Sequence, residues 1–504
     1  MRPGIAPTTR PAPADVLALD ASLIKPMHRE ILAVDLTAAL RAARAGNLDI
    51  RQARQQVEAA RGRWQSDVGG ALPALGVTAP FEHVDGTVRE SQGSLIGVGF
   101  NTFQPAAAVQ WITNPGQVIY DLIASRKRLL ASGHQEQAVI LEALRQTGVQ
   151  FYDLALAQTR VATAHQAVAE AEELLRISRL RSRTGTGVPA DEMRAEARLA
   201  ERQQDLVLAV NEFYRASVAL AVTLHLDPAV TLVPSVERLP QVTLVRDDLS
   251  LDDLVELAVV HRPDLKQVRR LAEGAAALRG ATWWGAFGPQ FQVGYQYGGI
   301  TGHSNNTEEA QGIPNNLIVN PLSATGAFST NPVVNGFIRE GISRGSARLA
   351  HRGDETFGFS DQERFNAAAG WRFTLAAFGD LKAARAAEAI ALLEAERQVE
   401  QVQAQVVLAL ESSKTQAQLV GLSQRQVAFA QEALRLSQAN LQAGTMTTLD
   451  VLQAQDAVNQ ARLRQAEAVV RYNQAQVNLV GAIGLLDDAS ATKDDMLGPG
   501  RNAE

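Results

Sequence analysis

The longest periodic stretches of the chain carry the repeat of α-helices and contain no proline. None occurs between Pro115 and Pro189, or between Pro332 and Pro499. Because an interior proline costs a helix about 3 kcal/mol, these intervals permit unusually long helices. The stretch 122–181 alone would extend roughly 90 Å at about 1.5 Å per residue. The pattern therefore predicts very long helices, each followed by a tight turn and a second long helix.

A seven-residue step of alanine marks the last of these helices. It comprises Ala454, Ala461, Ala468, Ala475 and Ala482. A seven-residue period is that of a coiled-coil seam, and alanine lets two helices approach closely. The same stripe also suits the core of a soluble helical bundle, so both interpretations stay open at this point.

The chain contains an internal repeat. An offset of 259 residues aligns Gly185 with Gly444 and Asp191 with Asp450 over dozens of residues. Each half is predicted to contain a short helix, a helix, a strand, a loop, a strand, a very long helix, a tight turn and a long helix. The polar tract 301–363, rich in Gly, Asn and Ser, has no counterpart in the first half. Its composition predicts a surface loop.

Four short segments alternate apolar and polar residues as strands do. They lie near 75–81, 107–112, 291–297 and 365–373. Tryptophan suits a membrane–water interface, which satisfies both its apolar ring and its polar N–H. The interface candidates beside these segments are Trp111, Trp283, Trp284 and Trp371. We favour this interpretation over its alternative, an ordinary aromatic cluster on a small soluble sheet.

The chain has no obvious membrane-spanning helix. Its longest apolar run, Ala216–Leu224, is far below the about 18 residues that a span needs. Four strands cannot close a membrane barrel, and an open sheet edge is not viable in lipid. Three chains would supply twelve strands, which is within the known range of barrels. The sequence by itself does not fix the number three.

Two turns between long helices contain glycine and hydroxyl residues. Thr184–Pro189 and Ala443–Thr448 supply glycines suited to helix C-termini and hydroxyl candidates for N-caps. Asp191 and Asp450 then lie in the first turn of the next helix, where a negative charge suits the helix dipole. Helix capping therefore explains these acids at least as well as a functional role does.

Composition narrows the range of functions. The formal net charge of −6 gives no basic field for nucleic acid. The absence of cysteine excludes thiolate metal sites, cysteine nucleophiles and an N-terminal lipid anchor on cysteine. The histidines form no metal-binding motif, and neither a Walker A loop nor a nucleophile elbow occurs. We expect no enzyme, cofactor or metal site. Residues 1–20 lack the apolar core of a signal peptide.

The segment 443–484 resembles the final helix of the TolC family of outer-membrane efflux proteins. It reads AGTMTTLDVLQAQDAVNQARLRQAEAVVRYNQAQVNLVGAIG. Its Leu-Asp-Val-Leu-x-Ala-Gln core and its closing Ala-x-Gly carry the likeness. The helix start at 47–50, the strand entry at 72–73 and the two-fold repeat match as well. The resemblance covers about 33–486, which is nearly the whole chain.

The resemblance implies a fold that is mainly α with a small β part, built from long antiparallel coiled-coil helices in two structural repeats. It implies a homotrimer whose four strands per protomer form a 12-stranded transmembrane barrel in the outer membrane. The helices would form a tunnel into the periplasm. The turns would be tips that dock a periplasmic adaptor protein, while an inner-membrane pump supplies energy for export of small molecules or proteins. The docking candidates are Gly185, Gly187, Val188, Gly444 and Thr445.

The family's gate is matched only in part. Asp450 stands at the position of the first acid of the family's acidic ring. Gln453 replaces the second acid, Met446 replaces the basic residue of a polar lock, and Leu441 replaces its tyrosine. The charged lock is therefore not reproduced. Asp191 and its charged neighbours are candidates for other polar contacts at the tip.

The predicted organisation has four parts. Residues 1–32 form a Pro/Ala-rich extension that we expect to be disordered, 33–250 the first repeat, 251–487 the second and 488–504 a tail. The alternative is an elongated soluble coiled-coil scaffold. It would explain the heptads and the missing signal peptide. It would not explain the repeated alternating strands or the matching turns.

Overall fold

The computed structural model describes nine stretches of the chain. They are residues 8–9, 30–89, 95–184, 188–235, 239–246, 249–304, 338–344, 360–443 and 445–486. The tail 488–504, most of the extension 1–32 and the three tip glycines lie outside the described residues. Within 1–32, Thr8–Thr9 and Ile31–Val34 form strands. The expectation of disorder throughout that extension is therefore wrong for these short segments.

The described residues form eight helices and eleven strands. The helices are α1 (Leu36–Gly46), α2 (Leu48–Gly70), α3 (Pro115–Arg183), α4 (Pro189–Thr223), α5 (Leu251–His261), α6 (Pro263–Phe287), α7 (Ala376–Gln442) and α8 (Thr448–Ala482). The strands are β1 (Thr8–Thr9), β2 (Ile31–Val34), β3 (Ala74–Thr78), β4 (Phe81–Arg89), β5 (Leu95–Phe103), β6 (Ala106–Thr113), β7 (Thr231–Pro234), β8 (Val242–Thr243), β9 (Gln290–Ser304), β10 (Ile338–Arg344) and β11 (Ser360–Gly370). The predicted, mostly helical fold and its twice-repeated order of helices are confirmed.

Side-chain caps fix several of the helix starts. The Asn47 side-chain oxygen accepts from the backbone N–H groups of Asp49 (2.8 Å) and Ile50 (3.3 Å) at the start of α2. Ser250 and Asp253 form a capping box at the start of α5. These bonds satisfy N–H groups that lack partners in the first turn of a helix. The helix start at 47–50, which carried part of the family resemblance, is thus a capped N-terminus.

The long helices pack as antiparallel pairs, as the sequence predicts. Between α3 and α4, Arg160 pairs with Glu212 at 2.8 Å and Arg179 pairs with Glu192 at 3.6 Å. As the residue number rises along α3, the number of its partner on α4 falls, so the two helices run antiparallel. In the second repeat, the Gln476 side-chain amide of α8 donates to the Ser413 hydroxyl of α7 at 2.7 Å. Of the alanines in the seven-residue step, the four from position 461 onward are buried.

Contacts divide the chain into two compact units. Residues 1–58, 131–269 and 394–504 form the first, and residues 59–130 and 270–393 form the second. Each unit takes residues from both sequence repeats. The compact units therefore do not coincide with the repeats, and the boundary at residue 250 stays a prediction from the sequence.

Within the first unit, the connection between the repeats is held against α4 and α8 by buried polar side chains. β7 pairs in parallel with β2. The Ser217 hydroxyl of α4 accepts from the Leu232 N–H at 2.8 Å. The Gln476 side-chain oxygen of α8 accepts from the N–H groups of Leu244 (3.0 Å) and Val245 (3.1 Å). Ser217 and Gln476 are related by the offset of 259, so repeat-equivalent positions anchor the same connection.

The second unit contains a seven-stranded antiparallel sheet. β3 pairs with β6, and β4 pairs with β5. β9 pairs with both β5 and β6 on one side and with β11 on the other, and β10 pairs with β11 at the end of the sheet. The prediction of four strands is therefore wrong in number. Pro80 separates β3 from β4, and Pro105 separates β5 from β6. Because proline cannot donate to a strand ladder, it interrupts each of these long strands.

The expectation of a loop over 301–363 is also wrong for its described residues. β9 continues to Ser304, β10 lies inside the tract, and β11 begins at Ser360. β10 pairs along its whole length with β11. These polar residues adopt a strand because a neighbouring strand supplies the backbone hydrogen bonds. Amino-acid composition does not reveal such a partner. The rest of the tract lies outside the described residues.

α4 departs from the expectation, drawn from the sequence, that the chain has no membrane-spanning helix. By length and composition, α4 is apolar enough to cross a membrane. The sequence estimate required an uninterrupted apolar run, whereas average hydropathy tolerates scattered polar residues. A helix packed in a bundle passes the same criterion, and α4 buries Phe213, Leu220 and Ala221 in the core of the first unit. The finding is weak evidence for a span.

Candidate functional site

The turn between α7 and α8 is fixed by hydrogen bonds on both sides. The N–H and hydroxyl of Thr445 donate to the Asn440 carbonyl at 3.0 and 3.1 Å, which closes the end of α7. Thr447 is the N-cap of α8, and Asp450 completes a capping box with it. The spacing Thr-x-x-Asp is the sequence signature of this arrangement. The predicted hydroxyl N-cap is therefore present, and its position is Thr447.

Asp450 is held in its ionised form by this cap. Its carboxylate accepts from the Thr447 hydroxyl at 2.7 Å and from the Thr447 N–H at 2.8 Å. These two bonds, the hydroxyl first, lower the pKa of Asp450 below its ordinary value. The negative charge also suits the positive end of the helix dipole. Asp450 thus stabilises the start of α8, and a role in a gate is compatible with that position.

The other gate candidates on this turn are exposed. Gln453 points to solvent one turn into α8. Met446 is exposed, and its sulfur lies 3.9 Å from the side-chain amide of Asn440. Among the described residues of this turn, the charge at the protein surface therefore comes from Asp450.

The turn between α3 and α4 is built differently. Val188 is the N-cap of α4 without a side-chain cap, and Pro189 follows at the first helical position. Asp191 lies in the first turn, as predicted, and pairs with Arg194 at 3.3 Å. Val188 is exposed. This tip therefore presents an apolar side chain beside a charged helix start, whereas Gly185 and Gly187 lie outside the described residues.

An ionic cluster near the tips links α4 to α8. Arg198 and Arg202, one turn apart on α4, both pair with Asp456 of α8. Arg198 also pairs with Glu201, and Arg202 with Asp205. Sequence reasoning missed this cluster, because its partners lie more than 250 residues apart. The only signal was two arginines four residues apart, which usually marks a solvated helix face.

The tryptophan candidates lie around the sheet of the second unit, though not all at strand ends. Trp111 lies within β6, and its ring N–H donates to the Ala71 carbonyl at 2.9 Å. Trp371 follows β11 and is exposed. Trp283 and Trp284 instead lie on α6, three to four residues before its end, and pack edge to face. Their proposed membrane-interface role stays a prediction.

A larger aromatic group surrounds Trp283. Phe287 packs against Trp283 and also against Phe373 and Phe378, with ring centroids 5.8, 6.4 and 6.0 Å apart. Phe373 and Phe378 are nevertheless exposed. Aromatic rings that are packed on one side and uncovered on the other suit an apolar surface or a membrane interface.

No group of three or more His, Cys, Asp or Glu side chains in the described part of the chain is arranged to hold a metal. At the tips, Thr445 closes the end of α7, Thr447 and Asp450 form the cap of α8, and Asp191 pairs with Arg194.

Solved structures of outer-membrane channels share the fold. VceC of Vibrio cholerae superposes with a TM-score of 0.69 at 18% identity, over 89% of this chain and 96% of that one. CmeC of Campylobacter jejuni gives 0.66 at 14% identity, over 97% of each chain. The open state of MtrE of Neisseria gonorrhoeae gives 0.65 at 18% identity, over 95% and 96%. At these identities the similarity establishes the fold.

The sequence itself matches a family. A comparison with curated protein sequences gives no significant match. The family described as outer membrane efflux protein matches residues 39–224 and 339–485, which is more than half of the chain. This match confirms the predicted resemblance and outer-membrane location, and it makes transport rather than enzyme catalysis the activity. It also rules out the soluble scaffold. The chain belongs to the outer membrane efflux protein family.

Proposed function

We propose that three copies of the chain form the passive outer-membrane duct of a tripartite efflux system. In this arrangement the sheets of the three copies close into one barrel, and the long helices continue as a tunnel into the periplasm. A periplasmic adaptor protein and an inner-membrane pump complete the system, and the pump supplies the energy for export. Small molecules or proteins would pass through.

The observation that carries this proposal is an open-ended sheet with an uncovered apolar surface. The described strands form the path β10-β11-β9-β5-β4, which has two ends. Leu75 and Val77 of β3 are 82% and 84% exposed, and Phe291 and Val293 of β9 are also exposed. Apolar strand residues of this kind suit lipid, but sheet ends do not. If the sheet closes with the sheets of further copies, its apolar residues can face lipid and its end strands are paired.

The two tips are proposed as the docking sites of the adaptor. Val188 at one tip and Met446 at the other are exposed apolar side chains, and Thr445 lies beside Met446. Exposed apolar groups rimmed by polar residues are typical of protein–protein contacts. Gly185, Gly187 and Gly444 belong to the same turns and are included in the proposal.

Asp450 is proposed to narrow the duct together with Gln453, Met446 and Asp191. Three copies of Asp450 around a symmetry axis place like charges near each other. The Thr447 bonds keep each carboxylate ionised at neutral pH. A ring of this kind favours cations and repels anions, and salt screens the effect over about 8 Å at physiological strength.

Planar-bilayer recordings of the purified protein test this proposal. Wild type should give channels that prefer cations. Asp450→Asn should reduce that preference because it removes one charge per copy while an amide oxygen can still accept from Thr447. Gln453→Glu, one turn further along α8, should increase it. Unchanged selectivity in both variants would remove this turn from the duct, whereas wild type without any conductance would contradict the channel itself.

A further inference from the structure

β10 occupies one end of the sheet in the second unit. It pairs with β11 from Ile338, opposite Ala369, to Arg344, opposite Glu363. Residues 363–369 of β11 are therefore paired on both sides, with β9 and with β10. At the other end of the sheet, β3 pairs with β6 alone among the described strands. Whether β10 stays in place decides which strand of this copy meets the sheet of the next copy.

β10 is shorter than a strand that crosses a bilayer. Such a strand needs about 9–11 residues. β9 has 15 residues and β11 has 11, whereas β10 has 7. β9 and β11 are thus long enough for the wall of a membrane barrel, and β10 is not.

The direction of β10 does not suit closure with a further copy. The pairings β3 with β6, β6 with β9, β9 with β11 and β11 with β10 are all antiparallel. β3 and β10 therefore run in the same direction, and β11 runs in the opposite one. If β10 stayed in place, its free edge would meet β3 of the next copy in parallel. If β10 left, β11 would meet β3 antiparallel, as every other pair in an outer-membrane barrel does.

The charge of β10 also conflicts with a lipid-facing position. Ala367 of β11 lies opposite Val293 of β9, and Val293 lies opposite Trp111 of β6. This row is uncharged, and both Val293 and Trp111 are exposed. The register places Glu340 of β10 in the same row, opposite Ala367. A charged residue on the lipid face destabilises a barrel, whereas charged residues are typical of edge strands, where they prevent unwanted pairing.

We propose that β10 occupies the edge of β11 only in the unassembled chain, and that β3 of the next copy replaces it when the barrel closes. This exchange rests on the proposed homotrimer and adds the step by which its sheets join. In the single chain, β10 satisfies backbone groups of β11 that could otherwise pair with a wrong partner. In the assembly, β3 satisfies those groups instead. Its exposed Leu75 and Val77 share the face of Val109 and Tyr295, so no charge enters the apolar face.

Engineered disulfides test the exchange, because the chain has no cysteine of its own. Glu340→Cys with Ala367→Cys, called the β10 lock, joins register partners and should hold β10 on the edge. When the variant is made in an oxidising periplasm, urea-washed outer membranes should yield about tenfold less trimer by native mass spectrometry, because chains with a free β11 edge become rare. Reductant during expression should restore the wild-type yield, and each single variant should assemble like wild type.

The matched control is Val109→Cys with Tyr295→Cys. These residues are register partners on the same face, but they join β6 to β9, a pairing that assembly keeps. The control should form its disulfide and still give as much trimer as wild type. Both double variants are then assembled under reductant and oxidised afterwards in the membrane. The control pair should form its disulfide there, whereas the β10 lock should not, because β10 has left β11.

A third set of variants identifies the strand that replaces β10. Val77→Cys is combined in turn with Phe365→Cys, Ala367→Cys and Ala369→Cys, which lie on one face of β11. At least one combination should link two copies covalently in the assembled protein. If none did while the β10 lock prevented assembly, β3 would not be the strand that replaces β10.

Two results would overturn the exchange itself. One is a wild-type yield of trimer from the oxidised β10 lock, and the other is a disulfide between β10 and β11 in the assembled trimer. A wild type that is not trimeric would instead contradict the proposed function.

Discussion

At the scale of single residues, the two repeats hold equivalent helix ends together with different side chains. The Asn47 side-chain amide donates to the Thr223 carbonyl at the end of α4 (3.3 Å), and the Arg262 guanidinium donates to the Ala482 carbonyl at the end of α8 (3.2 Å). Both contacts join the start of a shorter helix, α2 or α6, to the last turn of a long helix. Arg262 brings a charge that Asn47 lacks, and Asp264 balances it.

Both long helices also end at repeat-equivalent residues in left-handed conformation. His225 has φ of 58° after α4, and Gly484 has φ of 78° after α8. The N–H groups of Leu226 and Leu485 close each end on the carbonyls of Ala221 and Val480. A side chain at position 484 would also meet the Arg262 backbone at 3.0 Å. Glycine is therefore needed at 484, whereas His225 tolerates a conformation that costs about 1–2 kcal/mol.

The Arg262–Asp264 pair gives a prediction about pH. Burial tends to raise the pKa of Asp264, but the bonds from Arg262 (2.6 and 3.0 Å) and Gln398 (2.9 Å) hold it below its ordinary value. A depressed folded-state pKa contributes stability above the unfolded value, and that contribution is lost as the pH falls through the folded value. Asp264→Asn should lower the free energy of unfolding by about 1–3 kcal/mol at pH 7.

Urea unfolding of the two proteins at a series of pH values checks this expectation. The difference between wild type and Asp264→Asn should shrink as the pH falls below about 4, the ordinary pKa of an aspartate. Glu256→Gln, at an exposed position in the middle of α5, is the control and should follow wild type throughout. A constant difference across the series would show that the carboxylate charge is not what stabilises the pair.

At the scale of elements, the sequence specifies the helices better than the strands. Proline-free intervals and the 259-residue offset predict α3, α4, α7 and α8, because a helix makes its hydrogen bonds within itself. β4, β5 and β10 were missed, since their polar composition gives weak alternation and their hydrogen bonds come from distant strands. The Thr447–Asp450 cap is local and was within reach of sequence reasoning. The cluster of Arg198 and Arg202 with Asp456 was not, because only folding brings it together.

The seam of the last long helix supplies a prediction at this scale. Ala468 lies on the seven-residue alanine step and is buried in the core of the first unit. Ala468→Leu should overpack that seam and lower stability by about 1–3 kcal/mol. Ala457→Leu adds the same volume at an exposed position of α8 and should change stability little. The unfolding temperatures of the three proteins check this prediction. If both variants unfolded at the same temperature as wild type, Ala468 would not lie in a packed seam.

At the scale of the whole molecule, both compact units of the described chain leave apolar surface uncovered. Apolar strand residues are uncovered in the second unit, and large apolar side chains of α7 and α4, among them Leu408, Phe429 and Val207, are uncovered in the first. Uncovered apolar surface of this extent marks an interaction with protein or lipid. In the proposed homotrimer, lipid would lie beside the strands and further copies of the chain would cover the helices.

The mass of the complex extracted from outer membranes tests the central claim most directly. Full-length protein should fractionate with the outer membrane, and native mass spectrometry in detergent should show a particle of three chains, each of 54.1 kDa. Recovery of a single chain from the aqueous fraction, or a membrane-extracted particle with another number of copies, would contradict the account.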